Sequence, residues 1–185
     1  IDTWGLKESW RPSGSLLGTP GTNDPGAVAV VPVVINEILT HTVLPQVDAI
    51  EIYNPTASTA SVGGWFLTDN FGEPKKYRIA DGVSVPADGY LVLSADTSFG
   101  STFALSSSGE EIYLFSGDGT NLTGYVHGFD FGPQAEGVTF GRYINSLGEE
   151  LFPAQVVPTL GTNNAGPRVG PVVISEIMYH PPDIG

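Results

Sequence analysis

The chain contains no cysteine, a single Met, and only 7 Lys and Arg among its 185 residues. Without cysteine there is no disulfide scaffold, no thiolate zinc site and no cysteine nucleophile, and the redox compartment is left open. The cations are outnumbered by 20 Asp and Glu, giving a formal net charge of −13. A surface this acidic does not hold nucleic acid through phosphate contacts. Long apolar runs are also missing. The longest, Ala27 to Ile35, falls far short of the roughly 20 residues a membrane-crossing helix needs. No signal peptide is visible, and a chain starting at Ile1 reads as a mature product or a fragment. No window carries an apolar i, i+3, i+4 pattern free of Gly and Pro for three turns, so helices are not expected.

Gly (24) and Pro (15) are abundant, well above their usual combined share of roughly 12%. Hydrophobic residues make up 41%, enough for the core of one domain. An internal repeat organises the chain. Pro32-Val33-Val34-Ile35-Asn36-Glu37-Ile38-Leu39-Thr40-His41 matches Pro171-Val172-Val173-Ile174-Ser175-Glu176-Ile177-Met178-Tyr179-His180 at seven of ten positions. Leu17-Gly18-Thr19 likewise echoes Leu160-Gly161-Thr162. The reading is a window on a tandem array. Residues 1–31 hold the tail of one unit plus a linker, 32–157 a whole unit, 158–170 a second linker, and 171–185 the first strand of a third unit or an exchanged strand.

Inside 32–157 the pattern is β throughout. Expected strands are Val34–Leu39, Ala49–Tyr53, Trp65–Thr68, Tyr77–Ile79, Val83–Val85, Tyr90–Leu93, Glu111–Phe115, Leu122–Val126 and Val138–Arg142. Asp118-Gly119 is a hairpin signal, because Asp-Gly accommodates positive φ. Short strands at this spacing indicate an all-β sandwich or barrel.

These segments, in this order, resemble the lamin tail domain family. The resemblance rests on Val34-Ile35-Asn36-Glu37-Ile38, Ile50-Glu51-Ile52-Tyr53-Asn54-Pro55 and Gly64-Trp65-Phe66-Leu67-Thr68-Asp69. It continues through Val85-Pro86-Ala87-Asp88-Gly89-Tyr90-Leu91-Val92-Leu93, Phe131-Gly132-Pro133-Gln134 and Thr139-Phe140-Gly141-Arg142. It implies an immunoglobulin-like β-sandwich and a non-catalytic accessory or adhesive module, similar to the bacterial branch found in secreted or surface proteins. No coiled-coil heptads precede the domain, so a nuclear-envelope role does not carry over.

The residues offer several candidate sites. Trp65 is expected to anchor the core, Asn54 and Pro55 to stop a strand, and Asp88-Gly89 to turn into the next one. Glu37 and Glu51 fall on neighbouring strands, a pairing that glycoside hydrolysis could use, but strand alternation points both to solvent. Asp118 and Asn121 faintly suggest a calcium loop that lacks the further acids of an EF-hand; a plain turn explains them as well. His41, His127 and His180 show no zinc spacing, and His41 and His180 are one position seen twice. Neither a G-x-S-x-G elbow nor a phosphate loop occurs. Ser106-Ser107-Ser108-Gly109 reads as a loop, and Asn121-Leu122-Thr123 is a glycosylation sequon only in a host that uses it. Tyr53, Tyr77, Tyr90, Tyr113, Tyr125 and Tyr143 include a conceivable sugar-stacking platform, although strand aromatics usually pair across strands.

The expected function is therefore a structural or adhesive bead of an extracellular array, without a cofactor. The alternatives are a ligand-binding module for glycan or calcium, and a fragment of a secreted hydrolase. The expected partners are copies of the chain or neighbouring repeats, with a surface glycan or protein as further options. Val172, Val173, Ile174, Glu176, Ile177 and Tyr179 form the expected interaction strand, by exchange with, or addition beside, the matching strand of another copy.

Overall fold

The structure is a computed structural model describing residues 20–21 and 31–170. Twelve strands run in chain order among the described residues: β1 Val34–Leu39, β2 Ala49–Asn54, β3 Ala60–Ser61, β4 Phe66–Thr68, β5 Tyr77–Arg78 and β6 Ser84–Val85, followed by β7 Gly89–Ser94, β8 Glu110–Gly117, β9 Leu122–Phe131, β10 Thr139–Gly141, β11 Tyr143–Ile144 and β12 Glu150–Leu151. No helix occurs among the described residues. One four-stranded sheet has the order β10-β1-β2-β7 and the other β5-β4-β8-β9, all pairs antiparallel. β3–β6 and β11–β12 are short accessory pairs. The fold is an immunoglobulin-like β-sandwich.

Alternation along the strands builds the core. Ile35, Ile38, Ile50, Ile52 and Leu93 from the first sheet meet Leu67, Ile112 and Leu114 from the second, with Val62, Ile79, Val85, Phe99 and Phe103 closing the ends. Each such side chain contributes about 1.5–3 kcal/mol by leaving water. Ile35 and Ile38 both face inward although they lie three positions apart, an odd spacing. A bulge between Ile35 and Glu37 makes this possible, because one extra residue reverses the parity of the strand.

The expected strands are present, with shifted ends. β9 extends well beyond Val126, to Phe131. β3, β11 and β12 are two-residue strands with no alternation to announce them. The Asp118-Gly119 hairpin joins β8 to β9 as expected, with Gly119 at φ 91°. A Cβ there would also meet Arg78 Nη2 at 2.6 Å. Trp65 enters β4 from the core, 7% exposed and tilted against Tyr125 at 5.9 Å. The expected interaction strand (Val172, Val173, Ile174, Glu176, Ile177 and Tyr179) lies outside the described residues, as does residue 1 to residue 19 of the expected preceding unit.

Residues 158–170 have the Pro- and Gly-rich composition of a connector, yet they lie along the outer face of the first sheet. Beyond β10, Gly141 N–H donates to Pro153 O at 3.1 Å and Gln155 N–H to Thr139 O at 2.8 Å. Gln155 in turn bridges to Pro167, and Arg168 N–H donates to Ala154 O at 2.7 Å. The chain thus continues the sheet outward past β10 before it reaches residue 170.

Candidate functional site

Glu37 and Glu51 sit directly opposite each other on β1 and β2. They do not point into solvent, as strand alternation suggested: both are 0% exposed. The alternation placed them correctly on the outer face. That face is roofed by residues 155–166, which sequence alone did not reveal as a cover.

The roof is held by donors aimed at the carboxylates. Glu37 Oε1 accepts from Thr139 Oγ1 (2.5 Å) and from Thr159 N–H (2.9 Å), and Oε2 accepts from Thr159 Oγ1 (2.8 Å). Glu51 Oε1 accepts from Asn36 Nδ2 at 2.7 Å, and Oε2 from the N–H of Gly161. Asn36 is the extra residue of the bulge. Its Nδ2 also donates to Asn164 Oδ1 (2.8 Å), while Asn164 Nδ2 donates to Arg142 O (2.9 Å). Gln155 Nε2 donates to Gly141 O (3.1 Å), and its Oε1 accepts from Gly166 N–H (2.8 Å). Like charges facing across a ladder repel, and burial penalises each ion; these donors act against both costs. Burial pushes the Glu51 carboxyl above its ordinary range, and the nearby Glu37 pushes it further. The bonds from Gly161 and Asn36 act against that rise.

A second polar link joins the sheets. β10 ends at Gly141, so the first part of β1 lacks a strand on that side. Side chains from β9 take its place. Tyr125 Oη donates to Val33 O at 2.9 Å, and Ile35 N–H donates to His127 Nδ1 at 3.0 Å. Because Nδ1 accepts, the imidazole proton sits on Nε2, which donates to Glu150 Oε2 at 3.2 Å. Arg142 Nε donates to the other Glu150 oxygen. His127 and Arg142 together hold the Glu150 carboxyl down at about 2. Burial pushes the Tyr125 phenol up to about 12.

The remaining candidates fall in separate places. Asn54 is fully buried; its Nδ2 donates to Ser58 O (2.8 Å) and Pro86 O (2.9 Å), and its Oδ1 accepts from Thr56 N–H (3.1 Å). It ties the end of β2 to the turn before β7, while Pro55 is exposed. In that turn the left-handed residue is Asp88, φ 49°, rather than Gly89, whose missing Cβ leaves room for Pro86 at 2.9 Å. Asp118 closes the hairpin by accepting from the N–H groups of Thr120 (2.9 Å) and Asn121 (2.6 Å), and these bonds lower its carboxyl. Among the described residues, no cluster of three His, Cys, Asp or Glu side chains is placed to hold a metal ion. His41 Nδ1–H donates to Gln134 O at 2.8 Å. Ser106 to Gly109 form a turn.

The tyrosines are not gathered into one platform. Tyr53 stacks on Tyr90 at 4.9 Å on the outer face of the first sheet, and Tyr90 Oη donates to Asn163 Oδ1 at 2.6 Å. Tyr113 lies on the outer face of the second sheet with Phe71 (5.1 Å) and Phe115. Phe71, 53% exposed, is fixed there because its N–H donates to Glu111 Oε1 at 2.7 Å.

Sequence reasoning missed Asn36, Gln155, Thr159, Gly161 and Asn164. One signal was available: Glu37 recurs as Glu176, and Leu160-Gly161-Thr162 recurs as Leu17-Gly18-Thr19. A carboxylate and a segment that repeat together are candidates for contact.

Chemically, this arrangement holds chain in place. Each oxygen of both carboxylates accepts a hydrogen bond from the chain itself, beneath a roof that leaves Glu37 and Glu51 0% exposed. A family model described as Lamin Tail Domain matches residues 27–128, more than half of the chain. The match ends within β9, so β10 and the roof lie beyond it. No curated protein and no solved structure gives a significant match.

Proposed function

The chain belongs to the lamin tail domain family, and from that membership we propose that it is a non-catalytic structural or adhesive bead of a tandem-repeat protein, exposed outside a bacterial cell. Neighbouring beads or further copies engage through the terminal strand, Val172 to Tyr179. One observation carries the non-catalytic reading. Glu37 and Glu51, the carboxylate pair that acid–base chemistry would need, are buried and committed to Thr139, Thr159, Gly161 and Asn36. A general acid must reach its substrate, and these face backbone and hydroxyl groups of their own chain. The repeat of β1 at residues 171–180 supports the array.

The test is a ligand survey on the intact chain. Melting with and without calcium is expected to coincide, and glycan arrays to stay blank. A calcium-dependent rise in Tm, or saturable glycan binding, would replace the structural reading with a ligand-binding one.

A second reading has one observation in its favour. Phe71, Tyr113 and Phe115 form an aromatic cluster on the outer face of the second sheet. Beside it is a shallow slot lined by Phe71, Phe115, Leu122, Gly124, Tyr125 and Val126. A sugar ring could stack there; the same arrays test this, with Phe71→Ala abolishing any signal.

A further inference from the structure

The proposed assembly through the terminal strand leaves the acceptor unnamed. The matching strand β1 does not offer an open place, because it is hydrogen-bonded to β2 on one side and β10 on the other. An added strand needs a sheet edge, and the two sheets have four.

Three of these edges are guarded. The edge of β10 is occupied by residues 153–155. β5 is two residues long and carries Arg78, which pairs with Asp81. β9 turns toward β1 through Tyr125 and His127, and Phe152 stacks on its Phe129 at 3.6 Å. Edge protection of this kind is general, because an open strand is a template for pairing.

β7 has none of it. Its six residues, Gly-Tyr-Leu-Val-Leu-Ser, include no charge and no proline, and its register against β2 runs without a shift from Ala49↔Ser94 to Asn54↔Gly89. The bond from Ala95 N–H to Asp48 O sets the phase of that ladder. Narrow pairs alternate with wide ones, so Leu93 and Leu91 bond to β2, while Tyr90 and Val92 turn their N–H and C=O groups away from it. Among the described residues those backbone groups have no partner. Val92 is 40% exposed.

We infer that the outer edge of β7 accepts Val172–Tyr179 of a second copy as a further antiparallel strand; this rests on the terminal-strand reading above. The donor is rich in β-branched residues and repeats β1, a strand this sheet already pairs. Covalent reach selects a second copy. The chain passes residues 166–168 outboard of β10, at the end of the sheet opposite β7. From residue 168 to residue 172 it can cover only about 14 Å, which does not return it across the sheet to its own β7. Donor and acceptor are therefore different surfaces of one molecule. Such contacts are heterologous, and they propagate head to tail unless the ring closes.

The experiment measures assembly of the full chain by light scattering and sedimentation over a range of concentrations. Val92→Pro removes only an outward N–H and spares the β2 ladder. Val92→Lys places a charge at the edge, and Ile174→Lys disables the donor. The wild-type chain is expected to assemble with concentration. Each variant is expected to weaken assembly by at least about tenfold, with the melt of the sandwich unchanged. If Val92→Pro does not fold, Val92→Lys decides. Because the chain lacks cysteine, Val92→Cys together with Ser175→Cys is expected to form a disulfide between chains. Assembly lost in Ile174→Lys but retained in both Val92 variants would overturn the β7 acceptor and leave terminal-strand assembly standing. Assembly retained in all three, or a wild-type chain that stays monomeric at every concentration, would overturn both.

Discussion

The two four-stranded sheets share a core and differ on their outer faces. The first presents Glu37 and Glu51 side by side, yet both are buried beneath residues 155–166. The second carries Glu111 in an equivalent outward position on β8, and Glu111 is only half-buried, bonding the N–H of Phe71. Residue type and strand alternation are the same in the two cases. The difference comes from a segment more than a hundred residues further along the chain, which lays a ceiling on one face and not on the other. An acidic residue on a strand therefore does not by itself mark a wet face; what covers the strand decides.

This contrast is sharpest under deletion of the carboxylates. Glu37→Ala leaves Thr139 Oγ1 and both Thr159 donors unpaired in a dry site, and should cost about 3 kcal/mol by urea denaturation. Glu111→Ala should cost below about 1 kcal/mol, because a half-exposed acceptor is replaced by water. Equal losses would break the comparison.

The backbone is expected to show the same asymmetry on a smaller scale. A Cβ on Gly141 would lie 2.5 Å from Gln155 Cδ, inside the roofed face, whereas one on Gly132 meets nothing within 4 Å. Gly141→Ala should therefore destabilise by about 1–3 kcal/mol through overpacking. Gly132→Ala should change stability by no more than about 0.5 kcal/mol.

The weakest expected effects are those of pH, and they run in opposite directions. The Glu51 carboxyl is raised by burial above its ordinary 4.5. Its contribution favours the fold below 4.5 and is lost as pH rises through the raised folded value. Glu150 is lowered to about 2 by His127 and Arg142. Its contribution is complete above 4.5 and is lost as pH falls through about 2. Glu150→Gln should flatten the stability profile on the acid side of 4.5, and Glu51→Gln should flatten it on the other side. Half-exposure and salt reduce the Glu150 effect. Denaturation midpoints across pH, with each variant against wild type, read both slopes.

Much of the sandwich was legible in the sequence because it depends on local rules. Alternation located β1, β2, β7 and β8, the Asp118-Gly119 pair gave the hairpin, and Trp65 fell where an apolar anchor was expected. The two-residue strands β3, β11 and β12 carry no periodicity and were silent. The site was legible only in part. Glu37 and Glu51 were found as neighbours and placed on the right face. Their burial was not found, because Thr159 and Gly161 look like any Thr and Gly in a connector. Composition cannot separate a segment that spans solvent from one that is pinned at two carboxylates. The bulge at Asn36 was hidden for a related reason: alternation survives on both sides of it, shifted by one residue.

The central claim is that residues 158–166 are part of the folded unit, clasped by Glu37 and Glu51. Amide hydrogen exchange tests it most directly. The account predicts that the N–H groups of Thr159 and Gly161 exchange as slowly as the paired amides of β1 and β2, and that Glu37→Ala and Glu51→Ala release them. Exchange of both amides at the rate of an open chain in the wild-type protein would contradict it.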